Sequence, residues 1–151
     1  MPTLPQRKKT WVAALAVIAV LIISLALMTL TKTCLTEVIR NNLDGSESFK
    51  VTSIEEMYDG KAPTYTDTEQ IDKCQEALLA EINDTNLSFE QKELGMVIDE
   101  KLYSIEIASS DDEECLSLTL DKQGRLHVND TKTTYQIGND QLYRLCESLF
   151  A

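Results

Sequence analysis

Basic side chains are scarce in this chain, with 14 lysines and arginines against 25 aspartates and glutamates. Three of the 14, Arg7, Lys8 and Lys9, precede a long apolar run, which leaves 11 bases against 25 acids, a net charge of −14, beyond residue 30. A surface that negative repels the phosphate backbone, so nucleic acid is excluded as a partner. Histidine is rarer still: His127 is the only one. Strand alternation between Leu126 and Val128 points it away from the core, out of reach of a cysteine or serine that it would have to activate. The four cysteines form no CxxC pair, and with one histidine a four-ligand zinc site would consume nearly all of them. Glycine-rich phosphate loops, GxSxG and HExxH are missing. No catalytic residue, metal or cofactor is expected, and the chain reads as a non-enzyme. Aromatics, 6% of residues, imply a modest core.

What the chain does have is an apolar run. Trp11–Leu30 carries no charge over 20 residues, with Ser24 and Thr29 its only polar members. As a helix it spans ~30 Å, the thickness of a bilayer's hydrocarbon core, and a helix is the open-chain way to satisfy backbone groups there. The basic cluster before Trp11 predicts an N-terminus in the cytoplasm and everything after residue 30 outside. A cleaved signal peptide is the competing reading. Its apolar region usually runs ~7–15 residues before a small-x-small site, and neither Ala26-Leu27-Met28 nor Thr31-Lys32-Thr33 supplies a good one. The expected organisation is a cytoplasmic tail over 1–10, a transmembrane helix over 11–30, a juxtamembrane helix and hinge over 31–47, and an extracytoplasmic domain over 48–151.

Leu30, Cys34, Leu35, Val38, Ile39 and Leu43 recur at helical spacing, predicting that the membrane helix runs on until Asp44-Gly45. A strand follows over Ser48–Ile54. Thr66 and Glu69 have capping-box spacing, ahead of a helix whose stripe is Ile71, Cys74, Leu78, Leu79 and Ile82. Residues 83–93 read ambiguously, as a turn and then a helical turn begun by Ser88. From Leu94 the period becomes two. Leu94–Ile98 is a short strand, and Tyr103, Ile105 and Ile107 share a face. So do Leu116, Leu118 and Leu120, and then Leu126 and Val128, joined by a hairpin with Gly124 at positive φ. Tyr135 and Ile137 end the meander. A last helix carries Leu142, Leu145, Cys146 and Leu149. The fold class is α+β: a transmembrane helix, then a small domain of β–α–β-meander–α pattern, its antiparallel sheet covered by helices on one face.

The spacing Leu116-x-Leu118-x-Leu120-Asp-Lys-x-Gly124-x-Leu126-x-Val128, then Tyr135-x-Ile137 and Leu142-Tyr143-x-x-Cys146-x-x-Leu149, resembles uncharacterised proteins of Gram-positive bacteria. Those proteins pair an N-terminal anchor with a small extracytoplasmic domain. The resemblance covers the C-terminal third and implies a setting, not a chemistry.

An even cysteine count in an extracytoplasmic domain suits disulfides. Cys74 and Cys146 both fall on the buried stripes of helices placed on one sheet face, so they are the candidate pair; the alternative is two free thiols packing as small apolar groups. The run Asp111-Asp-Glu-Glu114 offers oxygens to calcium, but adjacent acids do not converge as alternate residues do. A solvated turn is the expectation. The function predicted is a membrane-anchored accessory or protein-interaction module, held in the bilayer through residues 11–30 and partnered by another membrane or envelope protein. The rival is a sensory or regulatory ectodomain, against which the short cytoplasmic tail argues. A carboxylate-dyad hydrolase is the third, with no motif behind it.

Overall fold

The structure is a computed structural model that describes residues 6–30, 33–92, 101–129, 131 and 133–151. It divides into two units, Met1–Lys32 and Thr33–Ala151. The first holds helix α1, Gln6–Leu30. Its stretch Thr10–Leu27 has a mean hydropathy of 2.7 and is long and apolar enough to cross a membrane. Large apolar side chains from Trp11 to Leu27 are exposed all round, the signature of a helix that suits hydrocarbon on every side. By length and composition the same helix serves as an anchor or as a signal sequence.

The second unit is α+β. Its elements are β1 Thr33–Cys34, α2 Leu35–Asn42, β2 Phe49–Met57, β3 Thr64–Tyr65, α3 Thr68–Asp84, β4 Asn86–Lys92, β5 Leu102–Ser109, β6 Cys115–Asp121, β7 Arg125–Val128, β8 Thr133–Ile137 and α4 Gln141–Leu149. The eight strands form one antiparallel sheet in the order β1-β4-β8-β7-β6-β5-β2-β3. Alternation builds its inner face. Ile105 lies opposite Leu118, Leu118 opposite Val128, Tyr103 opposite Leu120, and Leu120 opposite Leu126. All six are buried, in one core with Leu35, Val38 and Ile39 of α2, Ile71, Leu78 and Ile82 of α3, and Leu142, Tyr143 and Cys146 of α4. The β6–β7 hairpin is closed by the buried Asp121, which accepts from the Arg125 backbone N–H at 2.8 Å and its Nε at 2.5 Å. Gly124 has φ +77, and a Cβ there would meet Gln136 Nε2 at 3.0 Å, so glycine is needed on both counts.

Four expectations need correction. The helical spacing after Leu30 is genuine, but it belongs to α2, a separate helix. Thr33 and Cys34 are extended and pair with Leu87 and Asn86, and the Leu35 N–H donates to Thr85 O at 3.0 Å. Residues 33–47, expected as juxtamembrane helix and hinge, therefore lie inside the folded unit. Helix α3 is capped by Asp67, whose carboxylate accepts from the Gln70 N–H at 2.7 Å. Thr66 is engaged elsewhere, its hydroxyl accepting from the Ile54 N–H and its own N–H donating to Ile54 O. In β2 the expected alternation breaks between Val51 and Ser53, where Thr52 is an extra residue. That bulge turns Val51 and Ile54 onto the same buried face. Residues 86–92 form strand β4, not the helical turn expected at Ser88. The strand expected over Leu94–Ile98 lies outside the described residues.

Beyond β3 the outer edge of β2 is stopped by side chains. Gln75 accepts from the Val51 N–H at 2.9 Å and donates its Nε2–H to Val51 O at 2.8 Å. One amide thus imitates a residue of a neighbouring strand and blunts the edge. Gln75→Met keeps the shape and removes both bonds, leaving two backbone groups unpaired. We expect a loss of ~1–3 kcal/mol in urea unfolding; an unchanged midpoint contradicts this role.

Candidate functional site: an acidic hollow

Where the end of α2 meets the β5–β6 turn, the surface carries a hollow of about 330 Å³. Its lining includes Asp44, Ser46, Ser109, Asp111, Glu113 and Glu114. One wall is made by the termination of α2. Asp44 (φ +44) and Gly45 (φ +77) adopt left-handed conformations, and the Gly45 N–H returns to Arg40 O at 2.8 Å, satisfying one of the carbonyls a helix leaves open at its C-terminus. The other wall is the β5–β6 connection. Ser109 donates its hydroxyl to Asp111 and accepts from the Glu114 N–H at 3.2 Å, and its own N–H donates to Glu114 O at 2.9 Å. The walls are tied beside the hollow, where Ser48 and Ser110 share a hydroxyl bond of 2.7 Å.

The carboxylates have different electrostatic situations. The Ser109 hydroxyl, then the Glu113 backbone N–H, hold the Asp111 carboxyl below its ordinary value. Glu114 is raised, first by a side-chain hydrogen bond with Asp44, then by desolvation and by the charges of Asp44, Asp111 and Glu113. A carboxyl donates to a neighbouring carboxylate only while it keeps its proton, which is why the Asp44 side chain beside it moves Glu114 upward. The adjacent base, Lys50, pairs with Asp112 on the outside of the turn, at 2.9 Å.

Among the described residues no group of three or more histidines, cysteines or acids is arranged to hold a metal. Divergence explains why the Asp111–Glu114 run offers no calcium cage: Asp111 folds back on Ser109 while Asp112 turns out to Lys50. His127 is half-buried, away from the hollow, its Nδ1 bonded to Thr134 Oγ1 at 3.1 Å. All four cysteines are thiols: Cys146 is buried, Cys34 and Cys74 half-buried and Cys115 exposed. The candidate pair, Cys74 and Cys146, stands as two thiols in this structure. Sequence reasoning missed Asp44 and Ser109 as members of the hollow. Asp44-Gly45 was readable as a turn, but only the docking of that turn on β5–β6 gives Asp44 a carboxyl partner. Comparison with family models, with curated proteins and with solved structures gives no match.

The two shifts work in opposite directions with pH. A carboxyl raised in the fold stabilises fully below its unfolded value, and that contribution is lost as pH rises through the folded value; a lowered one contributes above its unfolded value and is lost as pH falls. The Asp44–Glu114 contact should therefore weaken from pH 4.5, the ordinary glutamate value, upward. Glu114→Gln keeps a donor to Asp44 at every pH. In urea titrations from pH 4 to 7 the wild-type midpoint should fall relative to the variant as pH rises. Parallel curves contradict the raised Glu114.

Proposed function

We propose that this chain is a membrane-anchored accessory or protein-interaction module, its acidic folded unit outside the cytoplasm and its N-terminus inside. The observation that carries the reading is the pairing of an apolar helix, Thr10–Leu27, with a folded unit that begins at Thr33. Arg7, Lys8 and Lys9 lie on one side of that helix, and the translocated side is acidic, the distribution expected of an anchor oriented N-terminus in. We propose the same setting as for the Gram-positive anchored proteins that the C-terminal third resembles. The unit's features are those of a scaffold: a blunted β2 edge, a closed hairpin and buried polar side-chain atoms that all have partners among the described residues. Recognition of another envelope protein is the role we propose for this scaffold.

Topology and role are tested separately. Protease added to intact spheroplasts should remove the folded unit and leave a fragment containing α1; complete protection contradicts the orientation. Intact mass should show the mature protein beginning at or near Met1, against a signal-peptide product starting between residues 26 and 34. Crosslinking in native membranes should then give a discrete adduct with one envelope protein, and recovery of uncrosslinked chain alone contradicts the interaction role.

A further inference from the structure

Helices α3 and α4 run antiparallel across the sheet. The first half of α3 lies beside β2, where Gln75 bonds Val51, and its end leads into β4. Helix α4 starts after β8, the neighbour of β4, and finishes with Phe150 stacked on Tyr103 of β5, the neighbour of β2. A single bond sets their register: Gln70 Nε2–H donates to Leu149 O at 2.7 Å. Four residues on from Gln70, ~6 Å along the axis, is Cys74; three residues back from Leu149, ~4.5 Å in the same direction, is Cys146. The rotational phase agrees. At ~100° per residue Cys74 lies ~40° from Gln70, between that α4-facing side and the buried Leu78. Both cysteines belong to the same core, Cys146 fully inside it and Cys74 packed against its margin. Packed helices with axes ~8–10 Å apart bring facing Cα atoms to roughly 4–6 Å, a span that a disulfide bridges.

We propose that Cys74 and Cys146 are a redox pair, which a disulfide-class oxidant converts from two thiols into a bond locking α4 onto α3. Cys74 is the sulfur that an oxidant reaches, because Cys146 is buried and its thiol is pushed up to about 12 by desolvation. The Cys74 thiolate attacks one sulfur of the oxidant's disulfide and expels the other as a thiolate. The Cys146 sulfur, giving up its proton, then attacks Cys74 in the mixed disulfide and expels the second. Two protein thiols are oxidised, one disulfide is reduced to two thiols, and the protons leave on them. The remaining cysteines are badly placed to compete. The Cys34 Sγ–H donates to Asn83 O at the far end of α3, and Cys115 sits on β6 opposite Ala108.

Closure in the cell rests on the external, oxidising setting proposed above, but the chemistry of the pair does not, so a purified-protein test separates the two. The full chain in detergent, carrying Cys34→Ala and Cys115→Ala, is incubated natively with oxidised glutathione, alkylated and mapped. The expected product is a Cys74–Cys146 cross-linked peptide with the protein lighter by two hydrogens, reversed by dithiothreitol. The oxidised form should melt on the order of 10 °C higher than the reduced form, since the link closes a long loop. Cys74→Ala, at a half-buried position, should abolish both the cross-link and the shift while leaving the reduced midpoint nearly unchanged. Arrest at a glutathione adduct on Cys74 with Cys146 still reduced, or no reaction at either thiol, overturns the pair.

Discussion

One face of the sheet is too apolar to meet water, and the second unit is organised around covering it. Tyr103, Ile105 and Ile107 of β5 face Leu120, Leu118 and Leu116 of β6, and Leu126 and Val128 extend the patch into β7. Each Å² of this face removed from water contributes ~25 cal/mol. Three helices pack on it, and α2 and α4, of 8 and 9 residues, are too short to persist without that contact. Aromatic packing completes the cover at one end: Tyr143 meets Tyr103 edge-on at 5.1 Å and Phe150 stacks on it at 5.7 Å. The Tyr103 hydroxyl, raised in pKa chiefly by burial, donates to Glu56 at 3.2 Å, so the ring is buried without stranding its polar end.

The acidic hollow and the cysteine pair both follow from that arrangement. Helix α2 covers its part of the core and then has to reverse into β2 within a few residues, which the left-handed Asp44 and Gly45 accomplish. The reversal sets Asp44 beside the β5–β6 turn, whose own acids are fixed by Ser109. Likewise the proposed Cys74–Cys146 pair rests on α3 and α4 packing over the same core, with Gln70 of α3 bonded to Leu149 of α4. Both features come from helices placed by burial.

Most of the second half of the unit was legible in the sequence. Period-two alternation from Leu102 to Ile137, Gly124 at the hairpin and the 3.6-residue stripe of α4 are local signals, and local signals read correctly. What failed depended on distant partners. Leu35, Val38 and Ile39 show only that a helix exists; that it is separate from α1 depends on Thr33 and Cys34 pairing with residues more than fifty positions away. The bulge at Thr52 depends on β5, and the identity of the α3 cap depends on Thr66 being engaged by Ile54. Strand β4 was hidden because its residues, Asn86-Leu-Ser-Phe-Glu-Gln-Lys92, lack the β-branched enrichment that marks a strand. Of the hollow, only the acidic turn was readable.

Strand β1 and helix α2 are part of the folded unit, and α2 covers its core. Leu35, Ile39 and Leu43 are at most 1% exposed, and Val38 is 6% exposed. Removing them uncovers apolar surface that nothing else among the described residues can shield. Two truncated chains, 33–151 and 48–151, compared by urea unfolding at the same pH, test this directly. A cooperative transition is expected for 33–151 and, for 48–151, a loss of more than half the stability or of the transition itself. A cooperative transition at the same midpoint in 48–151 would contradict it.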